Sequence, residues 1–409
     1  MKKSLVITVV LLCFSLPLSL SLWRASAADC TRTSMGLIPI NDLGTGTYNG
    51  AQGGLYPGGN NLRPAVHNSA GIEQAMAIRP LNGSGQPDVN GRYVLLSIGM
   101  SNTTQEFSTF KTLADADPDK NRQLLIVDGA QGGQDATAWA NPDSLTWTNV
   151  NTRLMQAGVT PLQVQIVWLK QQLAGDNLGS FPTGAQTLRD RLRDIVLIAK
   201  SRYPNLRLLY LSSRAYGGYS NTLRGTGAYE NAFGVKFLVE DQINGDPRLS
   251  YAGTNPPAPW LAWGPYLWAD GMVPRSDSLT WACSDFNDDG IHPSPSGGRP
   301  KVAQRLLAFF KYDSTARIWF LGDAAAVVSI SGRVMAPDGR GLKNALVSVT
   351  DPEGIQRTVW TSSFGFYTFT DLPAGQTYTL RVNSKRYRFS SRTETLNGDL
   401  TSIDFLGVE

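Results

Sequence analysis

Tyr93-Val94-Leu95-Leu96-Ser97-Ile98-Gly99-Met100-Ser101-Asn102 is an apolar run that stops at a glycine and gives way to polar residues. A short apolar run bounded in this way reads as a buried strand. Residues 104–114 read as the helix that follows it. The alternation then repeats. Residues 123–127 form a second apolar run, ending in Asp128-Gly129, and residues 162–168 and 206–211 form a third and a fourth. Helical patterns cover residues 187–200, 228–243 and 300–310. In the first of these Leu188, Leu192, Ile195 and Ala199 share one face. Near-continuous apolar strands separated by helices imply a parallel sheet covered on both faces, an α/β domain. In such sheets ligands bind beyond the carboxyl ends of the strands. The polar clusters of this sequence fall there, after Ile98, Val127, Trp168 and Leu211.

Before Tyr93 the chain is rich in turn chemistry, as in Tyr48-Asn49-Gly50 and Gly53-Gly54-Leu55-Tyr56-Pro57-Gly58-Gly59. It reads as irregular structure with one short helix near residues 71–77. After residue 322 the helices stop. Strand patterns follow one another at 326–334, 345–350, 357–360, 366–370, 378–382 and 402–406. Turns such as Pro337-Asp338-Gly339 separate them. This is the pattern of a small all-β sandwich. The expected division is a leader at 1–27, an α/β domain at 28–322 and a β-sandwich at 323–409.

The leader is read from Lys2 and Lys3, the apolar stretch that follows, and the small-x-small pattern Ala25-Ser26-Ala27. An uncleaved anchor is the alternative, because the apolar stretch approaches the roughly 20 residues of a membrane span. No other stretch is apolar enough to cross a bilayer. The whole chain has 409 residues and a net charge of +4. Without Lys2, Lys3 and Arg24 it has 34 basic residues against 33 acidic ones. That balance gives no ground for a nucleic-acid partner or an anionic membrane. Cys13 leaves with the leader. Cys30 and Cys283 remain, an even count in an oxidising compartment. Paired, they tie the mature N-terminus to the chain just before residue 285. No CxxC is present, and nothing requires a metal or cofactor.

Only two histidines occur, His67 and His292. His292 lies in Asp285-Phe286-Asn287-Asp288-Asp289-Gly290-Ile291-His292-Pro293. An imidazole can take and return a proton near neutral pH, and a carboxylate three residues earlier can hold its tautomer. The same stretch begins like a calcium loop, Asp-x-Asn-x-Asp-Gly, but its twelfth position is Ser296 rather than a bidentate carboxylate. Ser101, at a strand-to-helix turn, suits a nucleophile above the sheet edge and equally a helix N-cap. Asp128 to Gln134, with three glycines, suits close backbone approach to a substrate or a plain turn.

Together these residues resemble the SGNH/GDSL hydrolases, esterases and lipases with a flavodoxin-like parallel sheet and helices on both faces. Gly99-Met100-Ser101-Asn102 matches the first block, Asp128 to Gly133 the second, and Asp289-Gly290-Ile291-His292 the DxxH block. The resemblance implies a catalytic Ser101, His292 and Asp289, with Gly133 as an oxyanion donor. Met100 replaces the usual Asp. The third block, normally Gly-x-Asn-Asp, is here Val167-Trp168-Leu169-Lys170-Gln171-Gln172, closer to the Trp-x-Gln of sialate O-acetylesterase-like members. Lys170 and Gln171 are therefore the candidate third oxyanion donors. The aromatic residues Trp260, Trp263, Tyr266 and Trp268 are candidates for a pocket wall. The C-terminal part resembles the carboxypeptidase regulatory-like, transthyretin-like fold, through Ile330-Ser331-Gly332-Arg333-Val334, Leu346 to Asp351 and Thr361 to Tyr367. Its resemblance carries no catalytic residues. The expected activity is secreted ester hydrolysis through a Ser-His-Asp triad, with O-acetyl groups on carbohydrate as the expected substrate. The competing expectation is a non-catalytic binding or adhesive protein on a decayed scaffold. Oligomeric state is not legible.

Overall fold

The computed structural model describes residues 27–174, 179–221, 226–321, 327–352, 354–373, 376–396 and 399–409. The expected leader lies outside these residues except for Ala27. So do residues 322–326, where the sequence places the domain boundary.

A short helix α1 (Ile40–Leu43), a hairpin of β1 (Thr47–Tyr48) and β2 (Ala51–Gln52), and α2 (Ala65–Met76) precede the sheet. Then come β3 (Tyr93–Gly99), α3 (Ser101–Ala116), β4 (Leu124–Asp128), α4 (Ala136–Trp139) and α5 (Leu145–Gln156). β5 (Val164–Lys170), α6 (Thr183–Arg202), β6 (Leu208–Leu211), α7 (Gly227–Ile243) and β7 (Trp260–Trp263) complete the sheet, and α8 (Gly298–Tyr312) and α9 (Arg317–Phe320) close the unit.

The five strands pair in parallel in the order β4-β3-β5-β6-β7. Counted along the chain this is 2-1-3-4-5, a doubly wound order whose switch point lies between β3 and β5. Every residue of β3, β5, β6 and β7 is buried. Burying each Leu, Ile or Val fully is worth about 1.5–3 kcal/mol, so these runs set the sheet's place in the core. Helix α3 packs on α8, and α6 on α7. Gly71 of α2 lies against β7. A Cβ there would come within 2.4 Å of the Trp260 ring, so the helix rides on the indole face.

The expected strands and most helices are present, with ends moved by a few residues. The expected short helix near 71–77 is the twelve-residue α2. β7 corrects the reading of Trp260 and Trp263 as pocket walls. Both belong to the central sheet, and Trp268 is likewise buried. Tyr266 is buried as well, its hydroxyl accepting from the Ile40 N–H.

The second unit has its own core, built from Ile330, Val347, Val349, Phe369, Leu380 and Phe405 among others. Its strands are β8 (Val327–Met335), β9 (Leu346–Thr350), β10 (Gln356–Trp360), β11 (Phe366–Pro373), β12 (Gln376–Asn383), β13 (Arg392–Leu396) and β14 (Phe405–Leu406). They form two sheets, β10-β9-β12-β13 and β11-β8-β14. All pairings are antiparallel except β14 with β8. Burial alternates along β9, as a half-buried strand requires.

Candidate functional site

Three loops meet at the carboxyl edge of the sheet. The first is the turn from β3 into α3. Gly99 is needed there, because a Cβ would come 2.3 Å from Thr103 Oγ1 and 2.5 Å from the Lys170 carbonyl. Thr103 Oγ1 accepts from the Met100 N–H at 3.2 Å and donates to the Lys170 carbonyl at 2.9 Å. These bonds fix the start of α3 against the end of β5. Ser101 opens the helix, where the first amides have no intrahelical acceptor.

The second loop follows β4. Asp128 takes Ser97 Oγ at 2.5 Å, Ser108 Oγ at 2.9 Å and the Thr104 hydroxyl. One carboxylate thus ties α3 to β3 and β4. Arg153 of α5 donates to the carbonyls of Asp128 and Ala130. The Gln131 N–H donates to the Gly99 carbonyl at 3.0 Å. The loop therefore runs close beside Ser101: a Cβ on Gly132 would stand 3.8 Å from Ser101 Cβ. Gly133 has φ +74, in the left-handed region, and a Cβ there would meet nothing within 4 Å. Among the described residues the amides of Ser101 and Gly133 have no acceptor.

The third loop carries Asp289 and His292. Asp289 Oδ1 accepts the N–H groups of Ile291 and His292, each at 2.9 Å, which curls the chain into an Asx turn. Gly290 has φ +66, and a Cβ there would strike the Tyr219 backbone at 2.7 Å. Around the turn, Asn287 N–H donates to the His292 carbonyl and Ala28 N–H donates to the Asp288 carbonyl. Cys30 and Cys283 are joined in a disulfide across 253 residues, so the start of the described chain is fastened beside this loop.

The result is a hydrogen-bonded chain. Ser101 Oγ lies 2.7 Å from His292 Nε2, and His292 Nδ1 lies 2.5 Å from Asp289 Oδ2. The Asp289 carboxyl sits below the ordinary carboxylate range. Partial burial works to raise it, but the His292 N–H, the His292 ring and the Ile291 N–H together outweigh that. An ionised Asp289 holds the proton on Nδ1 and leaves Nε2 as the acceptor facing the hydroxyl.

The two candidate side-chain donors are placed differently. Lys170 has no exposed side-chain surface and its Nζ holds both Glu106 oxygens, at 2.6 Å from Oε1. That corrects the expectation of an oxyanion donor, since the ammonium is enclosed and engaged. Burial pushes it down to about 8, with Glu106 opposing and Arg214 adding to the shift. Gln171 Nε2 donates one hydrogen to the Gln134 carbonyl at 3.1 Å, which leaves its second N–H. His67 is not at this edge. It is buried, stacked on Trp260 with centroids 4.8 Å apart, and its Nε2 meets the Leu261 carbonyl at 2.8 Å. In the stretch that resembles a calcium loop, Asp285 holds Lys301 and the Ala282 N–H, and Asp289 holds His292.

Sequence reasoning did not single out Glu106 or Asn231. The Asn231 side chain accepts from the Arg214 N–H at 3.2 Å and donates to the Gln171 carbonyl at 2.9 Å, bracing the loops after β5 and β6 together. Neither residue sits in a local motif, and only the fold brings them here.

Residues 329–405 match the model of the carboxypeptidase regulatory-like domain, so the chain carries such a domain at its C-terminus. No curated protein matches the chain. Solved structures give distant likenesses. One is to BT4096, a gut microbial diltiazem-metabolizing enzyme, at 10% identity over 77% of this chain and 60% of that one, with a TM-score of 0.32. Another is to the salicylyl-acyltransferase SsfX3 from a tetracycline biosynthetic pathway, at 16% identity over 55% of each chain, with a TM-score of 0.31. The Bacillus anthracis TIE protein shares 19% identity over 20% of this chain and 17% of its own, with a TM-score of 0.18. Each match spans less than two thirds of the neighbour's length. Among the described residues no helix is long and apolar enough to cross a membrane.

Proposed function

We propose that this chain is an extracytoplasmic serine esterase of the SGNH type, acting on O-acyl groups of carbohydrate. The observation that carries the reading is the hydrogen-bonded run from Ser101 Oγ through His292 to Asp289. In the proposed cycle Ser101 Oγ attacks the ester carbonyl while its proton passes to His292 Nε2. The tetrahedral oxyanion takes the amides of Ser101 and Gly133, with Gln171 as the side-chain candidate. Collapse breaks the ester bond, and the leaving alcohol takes the proton from Nε2. Water, deprotonated by the same nitrogen, then attacks the acyl-serine and releases the carboxylic acid and Ser101. The leader pattern and the Cys30–Cys283 disulfide support an oxidising compartment.

A fluorophosphonate probe tests the reading. Labelling of the wild type that disappears in Ser101→Ala supports it. A folded wild type that neither labels nor releases acetate from any of a panel of acetylated polysaccharides and short-chain esters overturns it. A binding protein without turnover then takes its place.

A further inference from the structure

Arg214 follows β6 at the same edge of the sheet, one loop away from Gln171. It is only 5% exposed, yet among the described residues its guanidinium makes no hydrogen bond and no ion pair. A guanidinium has five N–H donors in a fixed fork and no way to shed its charge near neutral pH. Buried donors without partners are costly, and buried charges are normally paired. Among the described residues Glu106 and Asp289 act on Arg214 electrostatically, and both are already taken. Glu106 holds Lys170 with both oxygens, and Asp289 holds the His292 ring and two backbone amides. The backbone of Arg214 is pinned by Asn231, so the residue is held where it stands. No Arg214 nitrogen is among the sealed, unpartnered atoms of the described residues, so the fork keeps an opening to the outside.

We propose that Arg214 is a carboxylate-recognition residue and that the substrate carries a carboxylate, as an O-acylated hexuronate does. The inference rests on the esterase reading for the word substrate, but not for the binding site itself. A planar carboxylate would meet the fork with two parallel hydrogen bonds, which a hydroxymethyl group at the same sugar position cannot do. The enclosed Lys170–Glu106 pair cancels its own charge, so Lys170 does not compete with Arg214 for an anion.

Titration calorimetry with free glucuronate and free glucose tests the site without requiring turnover. The expected result is wild-type affinity for glucuronate at least tenfold above that for glucose. Arg214→Gln should bring the two within about twofold, the size of loss expected when a charge-assisted bidentate contact goes. Arg214→Lys, which keeps the charge and loses the fork, should fall between them and serves if the glutamine variant does not fold. Equal wild-type affinities overturn the proposal. So does a variant in which glucuronate and glucose weaken alike, because Arg214 is then only a structural brace. Fluorophosphonate labelling of the wild type separates the two readings. Discrimination without labelling sinks the esterase and leaves the carboxylate site standing. Labelling without discrimination does the reverse.

Discussion

Replacing Asp289 by asparagine separates the two jobs of that carboxylate. Its Oδ1 shapes the turn by taking the Ile291 and His292 amides, and its Oδ2 holds the ring at 2.5 Å. An asparagine oxygen can keep both amides, which directs its NH2 group at Nδ1. The ring must then accept at Nδ1 and carry its proton on Nε2, facing Ser101 Oγ 2.7 Å away. In that tautomer it cannot take the hydroxyl proton. In hydrolases with this arrangement such a swap costs on the order of 10⁴ in kcat, or about 5.4 kcal/mol of barrier. The fold should lose only about 1 kcal/mol, the difference between charge-assisted and neutral hydrogen bonds at a partly exposed site. Asp289→Ala, which also strips the two amides of their acceptor, should lose about 1–2 kcal/mol more. Turnover of an aryl acetate, the rate of fluorophosphonate labelling and urea denaturation read the three quantities. An Asp289→Asn variant that keeps more than a tenth of wild-type kcat would falsify the claim that the carboxylate sets the tautomer.

Gly133→Ala places a Cβ in open space at φ +74, so its cost is backbone strain of about 1–2 kcal/mol rather than a clash. The loop should relax and carry its amide away, lowering kcat on the order of 10²–10³ while Tm falls by no more than a few degrees. The part of the stability difference between wild type and Asp289→Asn that comes from this carboxylate should shrink as pH falls below about 5. Because the folded Asp289 carboxyl lies below its ordinary value, the contribution is complete above the unfolded value and fades as pH falls through the folded one. Denaturation midpoints of both proteins at pH 7, 4 and 3 check this, and a gap that widens on acidification contradicts it. Changing Cys30 and Cys283 together to serine should lower stability on the order of 4–5 kcal/mol, because the closed loop spans 253 residues. Thermal unfolding with and without reductant measures it. Gly71→Ala should lower stability by about 1–3 kcal/mol through overpacking on Trp260, while a surface change such as Val66→Ala should not.

The sheet was legible where its strands are apolar on both faces. β3 to β6 announce themselves as runs with no polar period. β7 escaped because Trp260-Leu261-Ala262-Trp263 is four residues long and its indoles read as a surface for ligands. Helix α5 escaped because its buried positions Trp147, Val150 and Leu154 are scattered among threonines and asparagines. β13 is an edge strand with Arg392 and Glu394 on it, and it lacks the apolar signal of its neighbours. At the candidate site, Ser101, Asp289 and His292 could be singled out because each sits in a short motif that resembles a known family's, and the fold brings the three side chains together. Lys170 could not be read correctly, since its partner Glu106 lies 64 residues away on a helix. The isolation of Arg214 is a property of the folded neighbourhood alone.

The fastening of Ala28 and Cys30 beside the Asp/His loop has a practical side. Anything fused ahead of Ala28 is attached beside the loop that carries Asp289 and His292, so a purification handle belongs after Glu409. The same geometry means that the disulfide carries any pull on the described N-terminus directly into the Asp289/His292 loop.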